Sequence, residues 1–203
     1  MSALPAACLF DLDGLLLDTE PLHGRGWAEA AAHFGTRLND DQLLQLRGRR
    51  RQDCAQQVVA WLTDSISTDD LLSVQQPIVR ALLAKAKAMP HAQALVEHCA
   101  AKCIPMALVT SSSRDAVAFK AEPHSWLKLI QQRIYGDDPD LSAGKPDPAP
   151  FRLAAQRLGV NPQSCWALED SRAGTASALA AGCKVWVLAG TEPAEETCNN
   201  PCR

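Results

Sequence analysis

Four short apolar runs recur along this chain, and they restrict its fold more than any other feature. They cover residues 6–10, 105–109, 165–168 and 184–188. Segments with helical periodicity lie between them, at 91–103, 149–158 and 172–181. Buried strands of a parallel sheet have this length and apolar character, and covering helices separate them in sequence. The alternation therefore predicts an α/β protein with a parallel sheet and helices on both faces.

Residues 22–88 interrupt this alternation, because they show helical periodicity and no convincing strand. Helices are predicted at 22–34, 40–46, 52–62 and 68–87. They would form a small bundle inserted after the first strand. We therefore divide the chain into a discontinuous core domain, 1–17 and 88–203, and a helical cap domain, 18–87. The polar tail, 190–203, contains two prolines and is expected to be poorly ordered.

The composition is typical of a soluble protein with no general attraction to polyanions. Of the 203 residues, 47% are hydrophobic and 21% are charged, and the net charge is -3. This balance argues against nucleic acid and anionic membranes as partners. A small anionic substrate must then be held by local positive groups.

The sequence shows neither a membrane-spanning or signal segment nor a paired cysteine motif. No apolar run approaches the roughly 20 residues that span a bilayer, and the N-terminus lacks the pattern of a signal peptide. We therefore predict a cytoplasmic protein with no membrane partner, and we expect a monomer. None of the eight cysteines forms a CxxC pair, so a zinc site or redox dithiol is poorly supported. Buried free thiols are the simpler interpretation.

Two carboxylates, Asp11 and Asp13, follow the first apolar run and precede Gly14, where the chain can turn sharply. One carboxylate can attack phosphorus and form an acyl phosphate, while the other protonates the leaving oxygen and later activates water. Such a pair would repel a phosphate dianion, and a divalent cation relieves that repulsion. Hard oxygen ligands in octahedral geometry favour Mg²⁺. A lone DxD pattern is weak, however, since turns are rich in aspartate.

Other apolar runs also end in polar residues that could join this site. Glu169 and Asp170 could add oxygen ligands, or could belong to a turn or helix cap. Residues 110–113 are rich in hydroxyl groups and open a helix, which suits an anion or a simple N-cap equally well. Lys145 lies in a proline-rich loop and could clamp phosphate or be solvated. Because ligands bind beyond the carboxyl ends of parallel strands, these elements together predict one site.

Four segments carry a family resemblance. In order along the chain they read FDLDGLLLDTEPLH, LVTSSS, GKPDPAPF and ALEDSRAG. They resemble the four motifs of the haloacid dehalogenase superfamily, and the match extends from Cys8 to about Leu188. Within that superfamily the chain is similar to the β-phosphoglucomutase-like group, which carries a helical cap inserted after the first strand. The resemblance implies a Rossmann-like core, in agreement with the alternation of strands and helices.

The resemblance also implies a role for each motif residue. Asp11 would be the nucleophile and Asp13 the general acid/base. Mg²⁺ would be bound by the Asp11 carboxylate, the Asp13 backbone carbonyl and Asp170. Glu169 would be a further ligand or a partner of one. The transferring phosphoryl group would be bound by Thr110, Ser111 and Lys145.

Some cap residues fall where this group places substrate-facing side chains, although the resemblance is looser there. These residues are His23, Trp27, Arg47 and Arg51. The arginines lie in a short basic run, which consists of Arg47, Arg49, Arg50 and Arg51. This run could equally be a solvated face, and His23 could lie on a helix surface. Trp27 fits the packing of the cap core better than ligand contact.

Two positions depart from the pattern of the group. Pro90-His91 stands where the group usually has Pro-Gly, and Cys103 stands where the preceding helix usually ends in glycine. Neither residue touches the predicted chemistry. The tail, 190–203, does not resemble the usual family ending.

The function that this pattern favours is hydrolysis of a small phosphorylated metabolite, such as a sugar phosphate. The stretch YGDDPDLSAGKPDP resembles the corresponding loop of pseudouridine-5'-phosphatase-like enzymes. A phosphosugar mutase is the alternative, since it would use the same catalytic residues. The two differ in whether water or a second substrate hydroxyl reaches the phosphoaspartate.

Other functions fit the residues less well. A dehalogenase needs neither magnesium nor a second aspartate, so Asp13 and Asp170 argue against that branch of the superfamily. A metabolite-binding protein without catalysis would be expected to lack Asp11 or Asp13. A glycosyltransferase with a DxD motif would leave Thr110 and Lys145 unexplained.

Overall fold

A computed structural model describes residues 4–188 of this chain. Its strands, in chain order, are β1 (Ala7–Phe10), β2 (Leu17–Asp18), β3 (Lys87–Ala88), β4 (Met106–Val109), β5 (Gln132–Ile134), β6 (Cys165–Glu169) and β7 (Lys184–Val187). Its helices are α1 (Glu20–His33), α2 (Asp40–Leu46), α3 (Arg51–Trp61), α4 (Thr68–Leu83), α5 (Ala92–Ala101), α6 (Arg114–Ala121), α7 (Ala149–Leu158) and α8 (Arg172–Ala181). Short 3₁₀ turns cover Ser125–Leu129 and Pro162–Ser164. The predicted tail, 190–203, lies outside the described residues.

The central sheet is parallel, with the strand order β5-β4-β1-β6-β7 in the described part of the chain. Strand β1 lies in the middle, because Cys8 pairs with Met106 on one side and with Trp166 on the other. The four apolar runs correspond to β1, β4, β6 and β7. Strand β5 escaped prediction because it is short and begins with the polar residues Gln132 and Arg133. The predicted α/β class is confirmed.

Side chains of β1 alternate between two cores, one on each face of the sheet. Cys8 and Phe10 face a core to which α5 and α6 contribute. Ala7 and Leu9 face a second core, to which α7 and α8 contribute. A strand buried on both faces reads as a continuous apolar run, which is why β1 was easy to predict. Helices therefore cover both faces, as the sequence predicted.

Helices α1 to α4 pack around a third core, formed within the inserted segment. Each helix contributes a buried residue to it, and examples are Trp27, Leu46, Val58 and Leu71. Helices α1 and α4 approach closely at Gly26, where an added Cβ would come within 3.0 Å of Val79. Of the helices in residues 4–188, none combines the length and apolar character that a bilayer crossing needs. The predicted helical insertion is confirmed.

A two-stranded antiparallel ribbon joins the insertion to the sheet domain. Leu17 of β2 pairs with Ala88 of β3, and the Met89 N–H donates to the Leu16 carbonyl at 3.0 Å. The prediction that residues 22–88 contain no strand is therefore wrong for the last two, Lys87–Ala88. Two residues are too few to show the alternation by which a strand is recognised. The chain enters and leaves the insertion at neighbouring points.

The two departures from the family pattern both adopt left-handed backbone conformations. His91 has a φ of 65° and Cys103 a φ of 53°. Cys103 follows the end of α5, and its N–H donates to the Ala100 carbonyl while the Ile104 N–H donates to the Cys99 carbonyl. This pairing closes a helix end and favours glycine, because a Cβ disfavours positive φ. Both positions therefore carry backbone strain that the glycine usual in the group would avoid.

Replacing Cys103 with glycine should stabilise the protein. We expect the free energy of unfolding to rise by about 0.5–1 kcal/mol, since glycine removes the left-handed penalty of about 1–2 kcal/mol at some cost in unfolded-state entropy. Gly159 is the reciprocal control, because it has a φ of 68° and open space around an added Cβ. Gly159→Ala should destabilise by about 1 kcal/mol. Urea unfolding followed by circular dichroism measures both, and a shift in the same direction would contradict the strain argument.

Candidate active site

The candidate site lies at the carboxyl ends of β1, β4 and β6. Asp11 and Asp13 follow β1, and the buried Leu12 between them packs into the core, so both carboxylates lie away from it. Thr110 follows β4, and Glu169 ends β6. Parallel strands bring these termini to one edge of the sheet. These residues therefore lie together at one edge of the sheet, where the sequence predicted a shared site.

The turn after Asp13 depends on Gly14. Its φ is 86°, in the region that favours glycine. A Cβ at this position would collide with the carboxyl groups of Asp170 and the side chain of Glu20. The absence of a side chain therefore allows the β1 loop and the β6 loop to approach each other.

Three carboxylates form a tight acidic cluster at this edge. Oxygen atoms of Asp11, Glu169 and Asp170 all lie within 4.8 Å of one another. Burial raises the pKa of Asp11 to about 7, with Lys145 opposing the shift and the neighbouring carboxylate of Glu169 adding to it. Burial and the Asp11 charge raise the pKa of Asp170 to about 7, and burial also raises the pKa of Glu169. The cluster is therefore short of positive charge.

One carboxylate oxygen of the cluster accepts no hydrogen bond from the described residues. Asp170 Oδ1 is buried and has no hydrogen-bond partner among residues 4–188. Burying such an acceptor unpaired costs about 1–3 kcal/mol. The donor set consists of carboxylate oxygens, which are the ligands that hard divalent cations prefer. The residues present thus fit a cation of the Mg²⁺ type.

Lys145 is buried between two members of the cluster. Its Nζ donates to Asp11 Oδ1 at 2.6 Å and also to Glu169 Oε1. Burial alone would lower the pKa of Lys145, but the charges of Asp11 and Glu169 raise it above its ordinary value. The ammonium group therefore stays charged and holds the Asp11 carboxylate in place. The interpretation of Lys145 as a solvated loop lysine is wrong, since it is 2% exposed.

Asp13 is surrounded by donors. Its Oδ1 accepts from Thr19 Oγ1 at 2.6 Å, from the Lys120 ammonium, and lies 3.3 Å from His23 Nε2. Its Oδ2 accepts from Ser112 Oγ at 2.9 Å. Burial opposes ionisation, but Lys120 and His23 hold the pKa of Asp13 well below its usual range. Asp13 is therefore a carboxylate in the resting site.

The predicted phosphate-binding residues have different surroundings. Thr110 is buried, and its Oγ1 accepts from the Ser112 N–H at 3.1 Å. Ser111 Oγ donates to the Gly48 carbonyl of the insertion at 2.8 Å. Lys145 donates to Asp11, as described above. Their roles toward phosphate stay predictions.

The insertion reaches the site through its basic run. Arg47 donates through Nη2 to Asp170 Oδ2 at 3.0 Å and through Nε to Glu20 Oε2 at 3.1 Å. A Cβ on Gly48 would collide with the Ser171 side chain, so the backbone there lies against the start of α8. Arg51 is half-buried, and burial lowers its pKa while Asp137 opposes that shift. The run therefore contacts the sheet domain, and the alternative of a fully solvated face is wrong.

The other two cap residues singled out from the sequence have distinct positions. His23 contacts Asp13 directly, so its alternative as an uninvolved surface residue is wrong. Trp27 is 4% exposed and packs in the third core, as predicted.

Sequence reasoning missed three residues of the site, Thr19, Glu20 and Lys120, of which Thr19 donates to Asp13. Glu20 begins α1 and pairs with Arg47, and burial and Asp170 raise its pKa to about 8. Lys120 lies in α6, which the sequence analysis did not delimit. The sequence signal for Lys120 was its position three residues after the apolar Val117, on the same face of the helix. The structure buries both residues.

A cavity of about 1410 Å³ lies between the insertion and the strand ends. Its walls combine the carboxyl ends of the strands with the basic run of the insertion. Residues from both sides include Asp11, Asp13, Arg49, Arg51, His91 and Ser111. This volume exceeds the range of about 300–1,000 Å³ common for small-molecule sites. A small metabolite therefore fits between the two parts of the protein.

Comparison with known proteins finds one matching family model and several relatives that are named as phosphatases. A family model described as haloacid dehalogenase-like hydrolase matches residues 5–182. The probable pseudouridine-5'-phosphatase of Drosophila melanogaster is 33% identical, over 88% of this chain and 79% of the relative. Hexitol phosphatase A of Escherichia coli is 31% identical, over 92% and 83%. The bifunctional riboflavin kinase/FMN phosphatase of Arabidopsis thaliana is 31% identical over 91% of this chain, which spans 48% of that relative.

Solved structures show the same fold. A variant of CbbY from Rhodobacter sphaeroides in complex with xylulose-(1,5)bisphosphate is 25% identical, with a TM-score of 0.78 over 92% of this chain and 87% of that chain. β-Phosphoglucomutase from Clostridium difficile is 21% identical, with a TM-score of 0.79 over 90% and 83%. The latter likeness concerns the fold alone.

Replacing Lys145 with methionine should destabilise the metal-free protein. Two buried carboxylates would lose their cation, at a cost of about 3–5 kcal/mol. The pKa values of Asp11 and Glu169 would rise further above their unfolded values, so stability would be lost as pH rises through the folded values. The loss should therefore be larger near pH 8 than near pH 5.

Urea unfolding in excess chelator at the two pH values measures this difference. Lys102→Met is the matched control, because Lys102 is exposed at the end of α5. It should change stability little, and equally at both pH values. A Lys145→Met loss that is small or independent of pH would contradict the charge-compensation argument.

Proposed function

This chain belongs to the haloacid dehalogenase-like hydrolases, and we propose that it is a Mg²⁺-dependent phosphatase of a small phosphorylated metabolite. The surroundings of Asp11 are the observation that carries the proposal. Asp11 is buried, is held by Lys145, and lies two residues from Asp13 at the edge of a cation-deficient cluster. The relatives at 31–33% identity are named phosphatases of pseudouridine-5'-phosphate, hexitol phosphates and FMN, which supports hydrolysis of a phosphate monoester.

In the first half-reaction we assign Asp11 as the nucleophile. Its free carboxylate oxygen attacks phosphorus, an acyl phosphate bond forms, and the bond from phosphorus to the substrate oxygen breaks. The other oxygen, Oδ1, stays bound to Lys145, which fixes the orientation of the attacking one. The leaving oxygen takes a proton from the Asp13 carboxyl group. Because Asp13 is a carboxylate in the resting site, it first receives that proton from the monoanionic form of the bound phosphate.

In the second half-reaction Asp13 acts as the base. It takes a proton from water as the water oxygen attacks phosphorus. The acyl phosphate bond then breaks, which releases inorganic phosphate and restores the Asp11 carboxylate. The proton then leaves with the phosphate, and Asp13 returns to the carboxylate form that its low pKa favours.

The same edge would hold the cation. We assign its ligands as the carboxylates of Asp11 and Asp170 and the Asp13 backbone carbonyl. The supporting observation is Asp170 Oδ1, which is buried and accepts no hydrogen bond from the described residues. Both oxygens of Glu169 already accept hydrogen bonds, from Lys145 and from Ser171. We therefore assign Glu169 as a partner of the site through Lys145. When bound, Mg²⁺ supplies the positive charge that offsets repulsion between these carboxylates and a phosphate dianion.

The phosphoryl oxygens would be bound by Thr110, Ser111 and Lys145. All three lie at or beside the strand ends, and Lys145 already contacts the nucleophile. His23, Arg47 and Arg51 would face the remainder of the metabolite from the insertion. For Arg51 the support is its place on the wall of the cavity.

A phosphosugar mutase remains the alternative to hydrolysis. It would use the same nucleophile, acid/base and cation. The β-phosphoglucomutase neighbour is 21% identical and carries the fold alone, whereas the phosphatase relatives are closer in sequence. We therefore propose hydrolysis. The domain limits of 1–17 with 88–203 and 18–87, the cytoplasmic location and the monomeric state stay predictions from the sequence.

A phosphate-release screen tests the proposed function. We expect the protein to hydrolyse members of a panel of sugar, nucleotide and polyol phosphates with Mg²⁺, and to lose activity in excess chelator. Ca²⁺ should restore it poorly, because its coordination is larger and less regular. Asp11→Asn should abolish turnover, since an amide cannot form the acyl phosphate. Asp115→Asn, on the exposed first turn of α6, is the control and should leave activity unchanged.

Two results would count against this assignment. Phosphate release by Asp11→Asn above a few per cent of the wild-type rate would remove Asp11 as the nucleophile. Full activity in excess chelator would remove the cation from the proposal.

Substrate choice should be separable from the chemistry through Arg51. Arg51→Ala should weaken kcat/KM for a metabolite with a second anionic or hydroxyl-rich part by about 1–3 kcal/mol, the value of a hydrogen bond to a charged group. A minimal aryl phosphate lacks that part and should be nearly unaffected. Arg37→Ala, an exposed arginine elsewhere in the insertion, is the control. Equal losses on both substrates would mean that Arg51 supports the fold generally, and no loss on either would mean that it does not contact the substrate.

A further inference from the structure

Lys120 is a buried lysine that none of the four motifs contains. Its side chain is 0% exposed, although it projects from α6, a helix on the outside of the sheet. Its ammonium group donates to Asp13 Oδ1 and to Ser112 Oγ, the latter at 2.8 Å. Transfer of an ammonium group from water into a protein interior costs several kcal/mol unless it is paired. The contact with Asp13 compensates that cost, so the two groups depend on each other.

The partners of Asp13 come from two parts of the molecule. Thr19 and His23 belong to the start of α1, the first helix of the insertion. Ser112 and Lys120 follow β4 and belong to the sheet domain. Asp13 is thus held from both sides of the cavity.

The partners of Asp13 differ in whether they line the cavity. The cavity lies between the insertion and the strand ends, so the substrate alcohol must leave and water must enter through it. His23 and Ser112 line the cavity, whereas Lys120 is buried away from its walls. A contact there can persist while the alcohol is exchanged for water.

We propose that Lys120 is a positioning residue that keeps the Asp13 carboxylate in its working place from the sheet domain, independently of the insertion. The inference rests on the proposed function, since it assigns the support of the general base in phosphoaspartate hydrolysis. Lys120 itself forms and breaks no covalent bond. Its effect should be largest in the step in which Asp13 must accept a proton from water.

Lys120→Met, an apolar replacement of similar length, tests this with p-nitrophenyl phosphate. Nitrophenolate leaves without a proton, so formation of the phosphoenzyme does not need Asp13 and kcat/KM should change by less than about threefold. Hydrolysis of the phosphoenzyme needs the base, so kcat should fall by about 10- to 100-fold, and KM should fall in parallel. Rapid mixing should show a burst of nitrophenolate of about one per enzyme, the mark of an accumulating intermediate.

A double-mutant cycle with Asp13→Asn tests whether Lys120 acts through Asp13. In the Asp13→Asn background, Lys120→Met should lower kcat no further, because the group it positions is already lost. This double variant also removes both buried charges together, so it provides a folded comparison if the single variant fails to fold. Lys128→Met, at an exposed lysine eight residues later, is the matched control and should behave as wild type.

The outcomes separate this inference from the proposed function. Equal losses in kcat and kcat/KM, or a further loss in the Asp13→Asn background, would mean a general structural role and would overturn the inference. Unchanged kinetics in Lys120→Met would overturn it as well, while an active wild type that depends on Asp11 would leave the proposed function standing. A wild type that hydrolyses no phosphate monoester would reject both.

Discussion

Compensation of buried negative charge is the constraint on which the rest of this structure depends. Carboxylates crowd the edge of the sheet, where burial raises the pKa values of Asp11 and Asp170. The cations that offset them come from three separate elements. Lys145 comes from the loop before α7, Lys120 from α6 and Arg47 from the insertion. The site can therefore be completed only when all three elements have folded around the strand ends.

Much of the fold could be predicted because local sequence patterns indicate its helices and strands. The bounds of α2, α7 and α8 were predicted without error, since apolar periodicity and caps define them. The motif carboxylates were identified because they follow strongly apolar strands. Strand β5 was missed because Gln132 and Arg133 give it no apolar signal, and its strand character comes from pairing with β4. Pairing between distant segments leaves no trace in a local pattern.

The missed site residues illustrate the same limit. A lysine in a helix is ordinarily solvated, so Lys120 could be assigned only after the packing of α6 brought it into contact with Asp13. The basic run of the insertion was read as a single feature, yet its members differ. Arg47 pairs with Asp170, Arg50 lies over Gly144 and pairs with Asp53, and Arg51 is half-buried at the cavity wall. Contacts across the cavity, and not composition, distinguish them.

The ribbon of β2 and β3 bears on how an inserted segment could be replaced during evolution. Because Leu17 pairs with Ala88, the chain departs from the sheet domain and returns to it at adjacent points. A different segment could occupy this place in a descendant, provided that its two ends lie about 5 Å apart, the spacing of paired strands. The strands and loops of the sheet domain would remain as they are. Recombination at a single junction could thus exchange the inserted segment without rebuilding the sheet domain.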